Sequence, residues 1–591
     1  MSTQRPQSAD TSAALAQQLS ASLAGRALTV EGREAVAAAA YAVVQAFLAG
    51  DTCIELDGHR ASLLPGLACE PALCAAPGSG SPTPLVLDGR RLYLARLWQT
   101  EVGLATRLRA LAAEHRAPYP GMTAALHTLF DAQAIDQRRA CAMALTRRLG
   151  IVTGGPGTGK TTTVAKLLVL LIGDALAREA KPVVALTAPT GKAAARVAEA
   201  LLTARDKMLL GDQARPEVLE LLPKKASTLH RLLGSRPDGS FRHGPGNPLA
   251  AHVVVVDECS MVDLRLFDAL LQALRPDAHL LLLGDSNQLD AVEAGNVFGT
   301  LCEGAGSVTP ARAAELTALD IAPQGIAQDA SAVNDATAVL QHSYRFDKLG
   351  AIGRLAAAVL ARHATDAEAA LSSDADGRIT RISYDPQKAL PVDALAQGFV
   401  PLLEALRAGA TDADLLKMLD DYRVLTPLRD GVHGIEGLNR AIEQLLVAAG
   451  HMTPARGGTG IGRPVLVTRN DHALQVFNGD LGLVVSGPDG AEQVLFRGPD
   501  GQPRRIAPGR LPAFERAFAM TIHKSQGSES TRVAIVLPPA GEREFGSREM
   551  LYTAITRAKE SLLLLMPEGP LEERWLRASE RKSGLVGRLH G

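Results

Sequence analysis

The run Gly154-Gly155-Pro156-Gly157-Thr158-Gly159-Lys160-Thr161 supplies what binding a triphosphate requires. Its glycines let successive backbone N–H groups turn toward phosphate oxygens, Lys160 brings a cation to the β and γ oxygens, and the Thr161 hydroxyl suits Mg2+. Thr162, directly after the loop, completes the nucleotide-binding stretch. An acidic pair, Asp257-Glu258, closes the apolar run Val253–Val256. At the carboxyl end of a buried strand Asp257 is placed for Mg2+ and Glu258 for the attacking water. Gln288, in Gly284-Asp285-Ser286-Asn287-Gln288-Leu289, follows the run Leu280–Leu283 and is in a position to report on the γ-phosphate. Gln137, about one helix upstream of the phosphate loop, offers an amide that can match both edges of adenine. A lone glutamine or an isolated Asp-Glu pair is ordinarily a solvated surface feature. Joined to a complete phosphate loop, the acidic pair points to nucleoside triphosphate hydrolysis with Mg2+, and leaves open what the hydrolysis drives.

The elements that must position these groups are legible as short apolar runs alternating with helical stretches from Tyr119 onward: Ile151-Val152-Thr153, Val183–Leu186, Val253–Val256 and Leu280–Leu283. Continuous apolar runs of this length suit strands buried on both faces of a parallel sheet. A second series, Arg423-Val424-Leu425, Val533–Leu537 and Leu562–Leu565, predicts a second α/β unit. The Ala-, Gly- and Pro-rich stretch Gly304 to Asp335 reads as an insertion or interdomain connection between the two. From Arg463 to Pro512, close-set turns at Asn478-Gly479-Asp480, Gly487–Gly490 and Gly498–Gly501 predict a small inserted β-barrel. Upstream, residues 1–118 combine alanine-rich helical stretches with a strand-like run from Arg91 to Trp98 and hold no ligand constellation, which predicts an adaptor domain.

At 591 residues the chain exceeds a single core, and 46% hydrophobic with 21% charged residues is a globular balance. Lys plus Arg (62) nearly cancels Asp plus Glu (63), so any nucleic-acid surface must be a local groove. Cys53, Cys69 and Cys74 are one short of a closed zinc site. Met1 to Ser20 lacks the pattern of a secretory signal, and no segment approaches membrane-span length, so a cytoplasmic protein is expected.

Taken in order, Gln137, the loop ending Lys160-Thr161, Ala188-Pro189-Thr190-Gly191-Lys192-Ala193, Ser227-Thr228-Leu229-His230, Asp257-Glu258 and Gly284 to Leu289 form a series. It continues with Ser343-Tyr344-Arg345-Phe346, Thr521-Ile522-His523-Lys524-Ser525-Gln526-Gly527 and Tyr552-Thr553-Ala554-Ile555-Thr556-Arg557-Ala558. From Tyr119 to about Met566 this series resembles superfamily 1 helicases of the RecD type. The resemblance implies two RecA-like P-loop NTPase motor domains with parallel sheets, residues 119–337 and 338–591. The small β-barrel, about 463–512, would be inserted in the second, and a mainly helical adaptor, residues 1–118, would precede both. ATP would lie between the lobes, held by Lys160, Thr161, Asp257, Glu258 and Gln288 from the first and approached by Arg345 and Arg557 from the second. Pro189, Thr190, Lys192, Thr228, His230, Thr521, His523 and Lys524 would face a single strand of DNA. The same resemblance implies 5′-to-3′ movement on a 5′-ended strand and assembly with RecB and RecC in an exodeoxyribonuclease V heterotrimer, with the nuclease in RecB. The phosphate loop arrives after only 153 residues, whereas stand-alone relatives carry a longer N-terminal extension. An independent helicase and an ATP-controlled scaffold that does not translocate are the competing expectations. One departure concerns Asp290, which stands where relatives often carry a small residue or proline.

Overall fold

The computed structural model describes residues 9–79, 82–211, 214–343, 350–372, 377–455, 458–471, 473–498, 501–541 and 546–591. Two helices, Ala9–Ala24 and Val30–Ala49, open the chain, the second capped by the Thr29 side chain, which accepts the Gly32 N–H. They pack on four short strands, β1 (Cys53–Glu55), β2 (Cys74–Ala75), β3 (Leu85–Asp88) and β4 (Arg91–Leu94), ordered β1-β4-β3-β2. Val36, Val43, Ile54, Leu85 and Leu92 fill the core between helices and sheet. The run Arg91 to Trp98 is strand only to Leu94, and a helix, Ala95–Ala113, takes over. Leu97, Leu104 and Leu108 recur at helical spacing and pack into one core, which decides for helix over continued strand.

Next come β5 (Leu149–Gly154), β6 (Val184–Ala188), β7 (Ser227–Thr228), β8 (Val253–Val256), β9 (His279–Gly284) and β10 (Thr337–Leu340). They form a wholly parallel sheet in the order β10-β5-β9-β8-β6-β7. Every residue of β5, β8 and β9 is buried, as the continuous apolar runs require of strands covered on both faces. Helices Ile135–Leu145 and Lys160–Ala177 cover one face, and Leu264–Ala273 covers the other.

Two expected boundaries move. Helix Ala95–Ala113 shares its core with Val254 and Leu280, so the first lobe reaches back well before residue 118. Strand β10 pairs with β5 as far as Leu340, so the first sheet runs beyond residue 337. The stretch Gly304 to Asp335, expected as an insertion or connection, is the crossover that delivers β10. Within it Thr309 caps a helix, Pro310–Ala318, that buries Ala313 and Leu316 in the first-lobe core.

The chain continues through β11 (Ile379–Tyr384), β12 (Tyr422–Thr426), β13 (Pro464–Val467), β14 (Leu481–Ser486), β15 (Glu492–Arg497) and β16 (Pro503–Ile506), then β17 (Phe514–Arg516), β18 (Ala519–Thr521), β19 (Ser530–Val536) and β20 (Ala558–Pro567). Five of these make a second parallel sheet, ordered β11-β20-β19-β12-β18. The others form an antiparallel sheet, β16-β15-β14-β13-β17, set between β12 and β18 and ending at Arg516 rather than about 512. Glu443, on helix Ile435–Ala448, meets Arg463 at 2.8 Å and Arg516 at 3.0 Å, gripping the insert where it leaves and where it rejoins.

After β20 the chain crosses back to the first lobe and the N-terminal sheet. The Lys582 carbonyl accepts the Thr52 N–H (3.0 Å), and the Lys582 N–H donates to Asp51 Oδ1 (2.9 Å). Glu101, fully buried, takes hydroxyl hydrogen bonds from both Thr52 and Ser583. Arg588 reaches Asp88, and helix Leu585–His590 buries Leu585 and Leu589 in the core that holds Leu104 and Val254. Among the described residues no helix is long and apolar enough to cross a membrane.

Candidate functional site

The phosphate loop links β5 to the N-terminus of helix Lys160–Ala177, where unpaired N–H groups and the helix dipole favour an anion. Gly159 enters that helix at φ +82°, a left-handed conformation open to glycine. The Lys160 ammonium donates to the carbonyls of Gly154 (2.6 Å) and Gly155 (3.1 Å), which holds it over the loop. Buried Gln137 donates its amide to the Thr158 carbonyl at 3.2 Å, so this glutamine touches the loop itself. The Pro156 carbonyl accepts the Ser343 hydroxyl at 3.0 Å, which brings Ser343 to the loop. Arg345 lies outside the described residues, and Thr162 is exposed.

Asp257 ends β8 beside the loop and accepts the Glu258 N–H at 2.9 Å. Burial and the neighbouring Glu258 carboxylate push its pKa up, against the pull of Lys160. Glu258 sits at φ +53°, an uncommon conformation for a non-glycine residue that turns its side chain sharply off the strand end. No group of three or more His, Cys, Asp or Glu side chains converges among the described residues. A hydroxyl at Thr161 and a single buried carboxylate nevertheless fit Mg2+, which takes its other ligands from substrate phosphates and water.

The second lobe closes the cleft through residues of the Thr521–Gly527 and Tyr552–Ala558 motifs. Asp285, buried, accepts hydrogen bonds from the Gln288 amide (3.0 Å) and the Tyr552 hydroxyl (3.2 Å). The Leu289 N–H donates to Thr553 Oγ1 (2.9 Å), and its carbonyl accepts the Gln526 amide (3.0 Å). The loop that carries Gln288 is thus bonded at three points to the opposite lobe. A Cβ on Gly155 would stand 2.9 Å from the Tyr552 hydroxyl, so the second lobe also presses on the phosphate loop. Arg557 is buried, donates to the carbonyls of Thr553 (3.0 Å) and Ser528 (3.1 Å), and lies close enough to Glu258, Glu529 and Asp285 for their charges to support its own. Arg196, from helix Gly191–Leu210, crosses the other way and pairs with Glu529 at 2.7 Å.

Three threonines expected to face DNA share one geometry. Thr190, Thr228 and Thr521 each follow or end a parallel strand, and each accepts a backbone N–H from the helical turn beyond it: Ala193, Arg231 and Lys524, at 3.2, 3.3 and 3.3 Å. Acting as acceptors, they retain an O–H that can be donated to a phosphate. Thr228 lies beside Ala188 across β6 and β7, near Pro189 and Thr190. Lys192 is half-buried against the second lobe, its pKa pulled down to about 8 by burial and by Arg423, with Asp420 and Asp480 opposing. Phe477, on the turn before β14, packs over Gly191. Lys524 pairs with Glu515 of β17 at 2.5 Å. Burial and nearby Arg581 lower the pKa of His523. His230 is exposed, 6.2 Å from the Phe241 ring.

The AAA domain family matches residues 137–294, and the UvrD-like helicase C-terminal domain family matches residues 516–565. The RecBCD enzyme subunit RecD of Mycolicibacterium smegmatis is 39% identical over 92% of this chain and 92% of its own length. That of Haemophilus influenzae is 32% identical over 85% and 80%. The ATP-dependent RecD2 DNA helicase of Deinococcus radiodurans is 30% identical over 87% of this chain but 59% of its own. A solved Pif1 helicase from Bacteroides, in complex with ADP-AlF3 and ssDNA, aligns over 73% of this chain at 16% identity with a TM-score of 0.36.

Proposed function

We propose, from the premise that this chain belongs to the RecD family of helicase subunits, that it is the motor that draws a 5′-ended single strand through a RecBCD-type complex. It is an ATP-dependent DNA helicase. The observation that supports the reading is the triple bonding of the Gly284–Leu289 loop to Gln526, Tyr552 and Thr553, because a nucleotide sensed by that loop would be coupled to both lobes. A site shared in this way converts a change at the γ-phosphate into a change of lobe spacing.

In this reading the lobes are RecA-like, and the inserted antiparallel sheet is the family's small barrel. Lys160 binds the β and γ oxygens, Glu258 orients the attacking water, Gln288 senses the γ-phosphate, and Gln137 and the loop through Thr162 hold the nucleotide. Arg557, together with Arg345, neutralises charge on the transferring phosphoryl group. Thr161 and Asp257 would hold Mg2+, which supplies further neutralisation of the phosphate oxygens. Thr190, Thr228 and Thr521 donate to phosphates of the strand, with Pro189, Lys192, His230, His523 and Lys524 along the same path. RecB and RecC are the partners, with RecB carrying the nuclease.

The stand-alone reading is less favoured, because the chain is 39% identical to one RecD subunit and 30% identical to the RecD2 helicase. Strand displacement on duplexes with a 5′ or a 3′ tail tests the proposal, with Lys160→Gln as control, alone and with RecB and RecC. Unwinding from the 5′ tail only, lost in Lys160→Gln and dependent on the partners, is the expected result. Full activity without partners would shift the assignment to an independent helicase, and ATP binding without unwinding would leave the scaffold.

A further inference from the structure

The last strand of the inserted sheet, β17, brings an acid to the residues placed along the DNA path. Successive side chains of a strand point to opposite sides. Arg516 reaches Glu443 at 3.0 Å, and Glu515, on the other side, meets the Lys524 ammonium at 2.5 Å. The second oxygen of the same carboxylate lies 3.7 Å from the guanidinium of Arg429, in the loop after β12. Strand β12 ends at Thr426 beside Thr521 of β18, so one carboxylate bridges two cations that leave the carboxyl ends of neighbouring parallel strands. Pairing of β17 with β13, where Glu515 stands opposite Leu466, and the grip of Glu443 on Arg516 hold that carboxylate in place. No other acid among the described residues pairs with Lys524 or Arg429.

We infer that Glu515 is a built-in counter-anion for strand binding: it occupies the Lys524 ammonium, with Arg429 beside it, until a phosphate of the strand takes its place. The inference rests on the strand-facing role of Lys524 given above. The cluster is poorly suited to a stabilising role. The Lys524 and Glu515 side chains are 22% and 25% exposed and that of Arg429 is 49% exposed, and an ion pair so wetted adds little to folding. Carboxylate and phosphate oxygens are alike as acceptors for an ammonium, so either can hold Lys524. The carboxylate differs in being tethered, and it therefore competes wherever the strand stands. Each phosphate is held less tightly than two bare cations would hold it, which suits a motor that must release one phosphate to take the next. Removing the carboxylate charge adds one net positive charge to the cluster and lets it neutralise one phosphate more fully.

The test is equilibrium binding of a fluorescently labelled oligo(dT) to the full chain, read by anisotropy across a series of KCl concentrations. Glu515→Gln, which keeps the shape and removes the charge, is expected to bind about two- to fivefold more tightly at low salt, the fold-change of an exposed ion pair. Its plot of log affinity against log KCl is expected to be steeper by roughly 0.7, one phosphate's worth of released counterion, so that the two proteins converge as salt rises. In a Lys524→Gln background the same change is expected to lose most of its gain, the non-additivity that a coupled pair produces. Binding by Glu515→Gln that is unchanged or weaker, or a gain undiminished in the Lys524→Gln background, overturns the inference. Lys524→Gln alone separates the two levels: if it binds the oligonucleotide as tightly as wild type, the strand-facing role given to Lys524 is itself wrong.

Discussion

At the scale of single residues, Asp290 shows how burial and pairing compete. It is 8% exposed and has Arg581 at 3.6 Å, yet burial raises its pKa to about 6, with Glu549 adding to the rise and Arg581 only partly offsetting it. A carboxyl whose folded pKa lies above its unfolded value binds a proton on folding, so its ionisation costs stability as pH rises from about 4 to about 6 and the cost is complete above that. Asp290→Asn is expected to be more stable than wild type at pH 7.5, by about 1–3 kcal/mol, with the gain shrinking toward zero near pH 4. Melting temperatures of the two proteins across that range decide it; a gain independent of pH would mean that packing and not charge is at work. Lys160, Asp257 and Gln288 were legible because strand, loop and helix order fixes their neighbours within a few residues. The pairing of Tyr552 with Asp285 and the ion pair of Arg196 with Glu529 were not, since the partners lie hundreds of residues apart on opposite lobes.

At the scale of elements, the inserted sheet depends on one carboxylate. Arg463 is fully buried, and Glu443 is the acid that meets it while also holding Arg516. Removing one member of a buried pair leaves an uncompensated charge, so Glu443→Ala is expected to cost about 3–5 kcal/mol, whereas Glu443→Leu with Arg463→Met recovers most of that loss. Scanning calorimetry of the three proteins reads both effects, and equal melting for Glu443→Ala and wild type would show the pair to be dispensable. The parallel strands could be found from their apolar runs because both faces are covered. Element ends were harder. The run Arg91 to Trp98 contains strand-forming residues throughout, but its second half faces a core that only a helical period can fill. The crossover before β10 looked like a connection because alanine and glycine mask its helical face, although Thr309-Pro310 is a helix start in plain view.

At the scale of the whole molecule, net charge near zero gave no hint of a nucleic-acid partner, and the lysines proposed to face DNA show interleaved charge: Lys192 faces Asp420 and Asp480, and Lys524 pairs with Glu515. Nor did local pattern show that the last dozen residues return to the first lobe and the N-terminal sheet, because Leu585 and Leu589 make a two-residue stripe too short to assign. Truncation after Ser579 removes Arg581, Leu585, Leu589 and Arg588 together. It is expected to speed amide hydrogen exchange in helix Ala95–Ala113 and in β1 while leaving the β11–β20 sheet protected; unchanged exchange in that helix would show that the segment merely rests on the surface. The return of the C-terminal segment bears on how the chain is made. A ribosome releases helix Ala95–Ala113 and the first-lobe strands early, but the core they share with Leu585 and Leu589 stays open until those two leucines have been translated. A nascent chain halted before Ser583 exposes the seat of those leucines, and the buried Glu101 lacks the Ser583 hydroxyl. That seat is an apolar patch on the earliest-made part of the chain, open to chaperones or proteases until residues 583–589 arrive.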